Sequence, residues 1–126
     1  MEFSVNDLAS VTTGTLIAAD KVNGTDVYNF QGERIGEIDG IMIDKITGNA
    51  IYALLSCGGF LGFGGRHHPL PWAVLKYDTD KEGYVVNMDK KKLEGAPNYD
   101  INLKFEWTPE TGRKIDGYFE VPSYWN

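Results

Sequence analysis

The side chains with the most chemistry to offer lie in two short stretches. His67-His68 stand beside a glycine-rich run, and histidine is a common metal ligand. Neighbouring residues of a strand point to opposite faces, so the pair does not chelate one ion easily. The chain has no third histidine and one cysteine, so carboxylates would have to complete a site. The second stretch runs from Asp78 to Asp89. Asp78, Asp80, Glu82, Gly83 and Asp89 fall at positions 1, 3, 5, 6 and 12 of a calcium-loop pattern. Glu82 at the fifth position and Asp89 in place of a bidentate Glu depart from it, and the flanks read as strands. An acidic hairpin turn is therefore predicted, with His67, His68, Asp78, Asp80, Glu82 and Asp89 kept as weaker metal candidates.

Other reactive types lead less far. Glu33, Glu37 and Asp39 could suggest an acid–base pair, but nothing in the pattern supplies the pocket that would drive their pKa values apart. Ser56 lacks the G-x-S-x-G elbow. Cys57 ends the apolar run Ala53-Leu54-Leu55-Ser56 with no basic neighbour in sequence, as a buried, inert thiol does. No catalytic residue and no cofactor are expected.

Gly58-Gly59-Phe60-Leu61-Gly62-Phe63-Gly64-Gly65 interleaves five glycines with three bulky apolar side chains. It is neither a phosphate loop nor a dinucleotide fingerprint, since the residues those motifs require are missing. Pro69 and Pro71 also bar an immediate helix. Phe60, Leu61 and Phe63 add apolar surface to a backbone that can bend freely, and they are read as contact residues.

The elements that must position these residues read mainly as β. Residues 1–14 are expected to be a mobile leader, followed by a first strand at Thr15-Leu16-Ile17-Ala18. Asp26–Asn29 reads as extended, with turns at Asn23-Gly24 and Asn29–Gly32. Between 33 and 44 the apolar phase slips around Gly36 and Gly40, which predicts one long strand bent by bulges. Asn49–Cys57 is the clearest strand, and both of its faces are apolar, so both need cover. Pro71–Leu75 is predicted as a helical turn, and Lys76-Tyr77 with Tyr84–Asn87 as a hairpin. Asp89 should cap a short helix stopping at Gly95. From Ile101 the chain is rich in aromatics, including Trp107 and Trp125, with a helix start at Thr108-Pro109-Glu110. Such a tail should pack on the barrel or on a second subunit, and Trp107 and Trp125 join the expected contact residues.

The 126 residues fit one domain. A formal net charge of −6 argues against binding dominated by nucleic-acid phosphate or anionic lipid. No stretch reaches the roughly 20 apolar residues of a membrane span, and the first residues lack the marks of a signal peptide, so a cytoplasmic protein is expected.

The order of motifs resembles a PRC-barrel domain. Asp26-Val27-Tyr28-Asn29, Gly32–Ile38 and Ile43-Asp44 match its first half. Tyr52–Ser56, Gly58–Gly62, Pro71–Leu75 and Leu93–Pro97 follow in the family's order. The resemblance covers about residues 15–100 and leaves 101–126 as an aromatic extension. It implies a small, strongly bent β-barrel, found in the photosynthetic reaction centre H subunit, in a ribosome maturation factor and in stand-alone proteins. It implies a binding or assembly module rather than an enzyme, self-associating or docking on a protein partner. No transmembrane helix precedes the barrel here, so a reaction-centre anchoring role is not expected. The alternatives are a metal- or small-ligand-binding domain using His67, His68 and nearby carboxylates, and an RNA-processing or ribosome-assembly accessory.

Overall fold

The computed structural model describes residues 16–57 and 65–125. Phe60, Leu61 and Phe63 lie outside these residues. The chain runs through α1 (Ala19–Val22), β1 (Asp26–Tyr28), β2 (Arg34–Ile43), β3 (Ala50–Ser56) and β4 (Arg66–Pro71). A 3₁₀ turn at Trp72–Val74 leads into β5 (Lys76–Asp78) and β6 (Gly83–Val85), then α2 (Lys90–Gly95), β7 (Tyr99–Asp100) and α3 (Pro109–Tyr118). The strands form one seven-stranded sheet in the order β5-β6-β1-β2-β3-β4-β7. Every pairing is antiparallel except β1 with β6. The architecture is mainly β, a small bent barrel whose two end strands, β5 and β7, are not paired with each other.

The bend is built into β2, where the sequence breaks its own alternation. Its register against β3 slips between Ile38 and Gly40 and again between Met42 and Ile43. Each slip turns the strand and changes which side chains face inward. At Gly36 the backbones come so close that a Cβ would stand 2.6 Å from the Ser56 carbonyl oxygen. Only glycine allows that approach. The strand then wraps one core holding Val27, Ile35, Ile38, Leu55, Leu70 and Leu93, each at most 1 % exposed.

The first hairpin is tied by Asn29, itself buried. Its Oδ1 accepts from the Gln31 and Glu33 N–H groups at 3.0 and 2.9 Å, the local bonding that favours Asn in turns. The acidic hairpin forms in the same way, with Asp78 Oδ1 accepting from the Asp80 and Lys81 N–H groups.

One expected element is absent. Leu16–Ala18 form no strand, and Ala19–Val22 make a single helical turn instead. A strand needs a partner ladder, and Leu16 is 82 % exposed with no strand beside it among the described residues. Asp20 in the first turn and Lys21 in the last suit the helix dipole. The residues after α2 also do more than close the domain: Tyr99-Asp100 add β7 to the edge of β4. No helix among the described residues is long and apolar enough to cross a membrane.

Candidate docking face

The most elaborate side-chain arrangement lies where the C-terminal residues meet β3. Thr108 caps α3, its side chain accepting from the Thr111 N–H, and Pro109 sits in the first turn, where its missing N–H costs nothing. The helix carries Asp116 onto the sheet, 2 % exposed. Tyr52 donates its hydroxyl to Asp116 Oδ1 at 2.9 Å and accepts from Trp125 Nε1–H at 2.8 Å. Asp116 Oδ2 accepts from the Ser123 hydroxyl at 3.2 Å and from the Tyr124 N–H at 3.1 Å. A buried carboxylate is tolerable when donors surround it, as three do here. Burial, more than any other influence, pushes the Tyr52 hydroxyl far above its ordinary pKa, so it stays a donor. Trp125 lies flush on α3 at Gly112, where any Cβ would overlap its indole ring.

A row of rings extends from this lock. Tyr52 and Trp107 have centroids 4.9 Å apart, Phe105 meets Trp107 edge-on at 5.1 Å, and Tyr99 stacks on Phe105 at 4.1 Å. The outer face of β3, which the sequence leaves in want of cover, is therefore covered by the chain's own C-terminal residues. Between the tail and the strand ends a small groove of about 90 Å³ stays open, lined by Met42, Ile43, Ile51, Trp107, Tyr124 and Trp125 among others. Beside it Ile43 is 59 % and Ile46 87 % exposed. The half of β2 beyond Ile38 has β3 on one side and no strand on the other among the described residues. Asp44 lines the groove and binds the Tyr124 hydroxyl. That bond, with N–H groups of Thr47 and Ile46, holds its carboxyl below the usual range.

The two histidines part company. His67 lies inside the sheet, paired with Ser56 of β3 and Tyr99 of β7, its Nε2 2.7 Å from Asp39 Oδ2 and its Nδ1 3.1 Å from the Tyr99 hydroxyl. Asp39 only accepts, so in the neutral ring Nε2–H donates to it and Nδ1 accepts from Tyr99. His68 is fully buried, and burial first, then Arg66 and His67, lowers its pKa to about 4. Pointing opposite ways, the two do not share a ligand.

The remaining predicted residues are spread over the surface. Asp78 orders its own hairpin turn, and Asp89 accepts from the Lys92 N–H as the cap of α2. Among the described residues no three His, Cys, Asp or Glu side chains gather where they could hold a metal ion. Glu33, Glu37 and Asp39 do not converge either: Glu33 meets Asn29 and Lys90, Glu37 approaches Arg34, and Asp39 meets His67. Cys57 is buried, which raises its thiol to about 11. Trp107 and Trp125 are half-buried against their own sheet, leaving only part of each ring to meet another molecule. Sequence reasoning missed Tyr52 and Asp116. The one available signal was an acid at the third-last position of the helix, on a face shared with Gly112 and Ile115.

A family model described as PRC-barrel domain matches residues 14–93, well over half of the chain. No curated protein matches it. The matched span ends inside α2, so β7, α3 and the Asp116 lock lie beyond it.

Proposed function

The chain belongs to the PRC-barrel domain family, and on that premise we propose that it is a non-catalytic, cytoplasmic binding module that self-associates or docks on a protein partner. Domains of this family are in general non-catalytic binding modules and often mediate protein interactions. The observation that carries the reading is the apolar surface beside the lock. Ile43, at the end of a half-strand with no neighbour on one side among the described residues, and Ile46, in the turn after it, stand largely in water next to a groove floored by aromatic rings. Grouped exposed apolar side chains and an unpaired edge are what an incoming chain uses. Phe60, Leu61 and Phe63, with the uncovered parts of Trp107 and Trp125, complete the proposed contact set.

The test is sedimentation of the purified protein together with affinity recovery from native extract. A defined oligomer or a recovered partner, lost in Ile43→Ser/Ile46→Ser or in Phe60→Ser/Phe63→Ser, supports the reading. A strict monomer that recovers nothing sinks it.

A further inference from the structure

Away from the lock, a second cleft opens between the β5–β6 hairpin and the ends of α2 and α3. Its volume is about 300 Å³, at the small end of ligand-binding pockets. Val74, Val85 and the buried Phe119 line it, and Phe30, 61 % exposed at the tip of the turn that Asn29 ties, stands at its side. Lys76 and Lys92 reach the same cleft. Lys76 pairs directly with Val85 across the hairpin, so both side chains leave the same face of the sheet. Lys92 is fixed from two sides: Asp89 accepts its N–H at 2.7 Å, and the Tyr118 hydroxyl donates to its carbonyl at 2.5 Å. Its ammonium stands 5.9 Å from the Tyr118 ring centroid.

What sets this cleft apart is that two lysines line it together, since the lack of a carboxylate partner is shared by Lys45 and Lys91 among the described residues. Lys90, Lys104 and Lys114 are each ion-paired, with Glu33, Glu106 and Glu110. Among the described residues Lys76 and Lys92 have no carboxylate partner, and Glu120 is the one acidic side chain among those lining the cleft. Two ammonium groups against one carboxylate leave a cationic spot in a chain of net charge −6. An apolar lining beneath a cationic rim selects an apolar group that carries an anion close by.

We propose that this cleft binds the C-terminus of a partner polypeptide, the last side chain being apolar and its free carboxylate lying between Lys76 and Lys92. The cleft has room for one side chain and its carboxylate, and its open side lets the preceding chain leave. The proposal rests on the reading of the chain as a protein-binding module, but uses a surface other than the Ile43–Ile46 groove.

The test is titration of the ¹⁵N-labelled full chain with acetyl-Ala-Ala-Leu, with the same peptide as its C-terminal amide, and with 4-methylpentanoate. The free-acid peptide should shift the amide resonances of Val74, Val85 and Phe119 and bind about tenfold more tightly than the amide. Lys76→Ala/Lys92→Ala should lose that advantage while its melting temperature stays unchanged. Equal binding of acid and amide, or the absence of shifts at those three residues, overturns the proposal. So does 4-methylpentanoate binding as tightly as the peptide, which would make this a site for small acids. The double lysine variant keeps the Ile43–Ile46 groove, so its sedimentation and partner recovery test the broader reading separately.

Discussion

Two carboxylate clusters on this sheet use the same parts in opposite settings. At the C-terminal lock, Asp116 meets Tyr52, Ser123 and the Tyr124 backbone beneath the indole of Trp125. Across β2, β4 and β7, Asp39 meets His67, which meets Tyr99. Each joins three elements through a carboxylate and a tyrosine. The Asp116 carboxylate is sealed from water, whereas the Asp39 side chain is 55 % exposed. Water competes with His67 for the Asp39 carboxylate and reaches almost none of the lock. The lock should therefore hold the fold together, while the Asp39 carboxylate should only trim it.

The difference breaks most sharply at Asp116. Asp116→Ala leaves the Tyr52 hydroxyl and two further donors without their acceptor, and should cost about 3 to 4 kcal/mol. Urea unfolding followed by tryptophan fluorescence measures it, since Trp107 and Trp125 flank the site. A loss under about 1 kcal/mol would mean that water already reaches the lock.

His68 sharpens the comparison from the buried side. Its folded pKa of about 4 lies below the ordinary value of 6.5, so it is the unfolded chain that takes up the proton between those pH values. Its contribution to stability is present in full above about pH 6.5 and is lost as pH falls towards 4, a loss of up to about 3 kcal/mol. Melting curves of the native chain and of His68→Gln at pH 7.5 and 4.5 separate this from carboxylate titration. The native chain should lose more than the variant, and parallel losses would contradict the assignment.

The smallest effect belongs to Asp39, the exposed member of the trio. Asp39→Ala should cost less than about 1 kcal/mol in the same unfolding experiment, because its carboxylate is largely open to water. A cost near that of Asp116→Ala would erase the contrast between the two clusters.

The same contrast explains what could be read from the sequence. Local signals worked: Asn29 and Asp78 tie their own turns, Asp89 and Thr108 cap the helices that follow them, and the phase slips near Gly36 and Gly40 mark where β2 bends. The need of β3 for cover on both faces was also legible in its composition. What covers it was not, because Tyr52 and Asp116 lie 64 residues apart and no local pattern links them. Lys76 and Lys92 likewise stand in separate elements of the sequence, and only the folding of the hairpin against α2 brings them to one cleft. The strand expected at Thr15–Ala18 did not form over its described residues, Leu16–Ala18, for the converse reason. Its residues favour a strand, but the described sheet provides no neighbour for one.

The separation of Tyr52 from Asp116 also has a consequence during synthesis. At a ribosomal rate of about 5 to 20 residues per second, the 64 residues between them take roughly 3 to 13 seconds to appear. Through that interval β2 and β3 can pair, yet the Tyr52 face has nothing of its own to lie against. Nascent chains stalled before Asp116 should therefore engage chaperones that released, full-length chains no longer do.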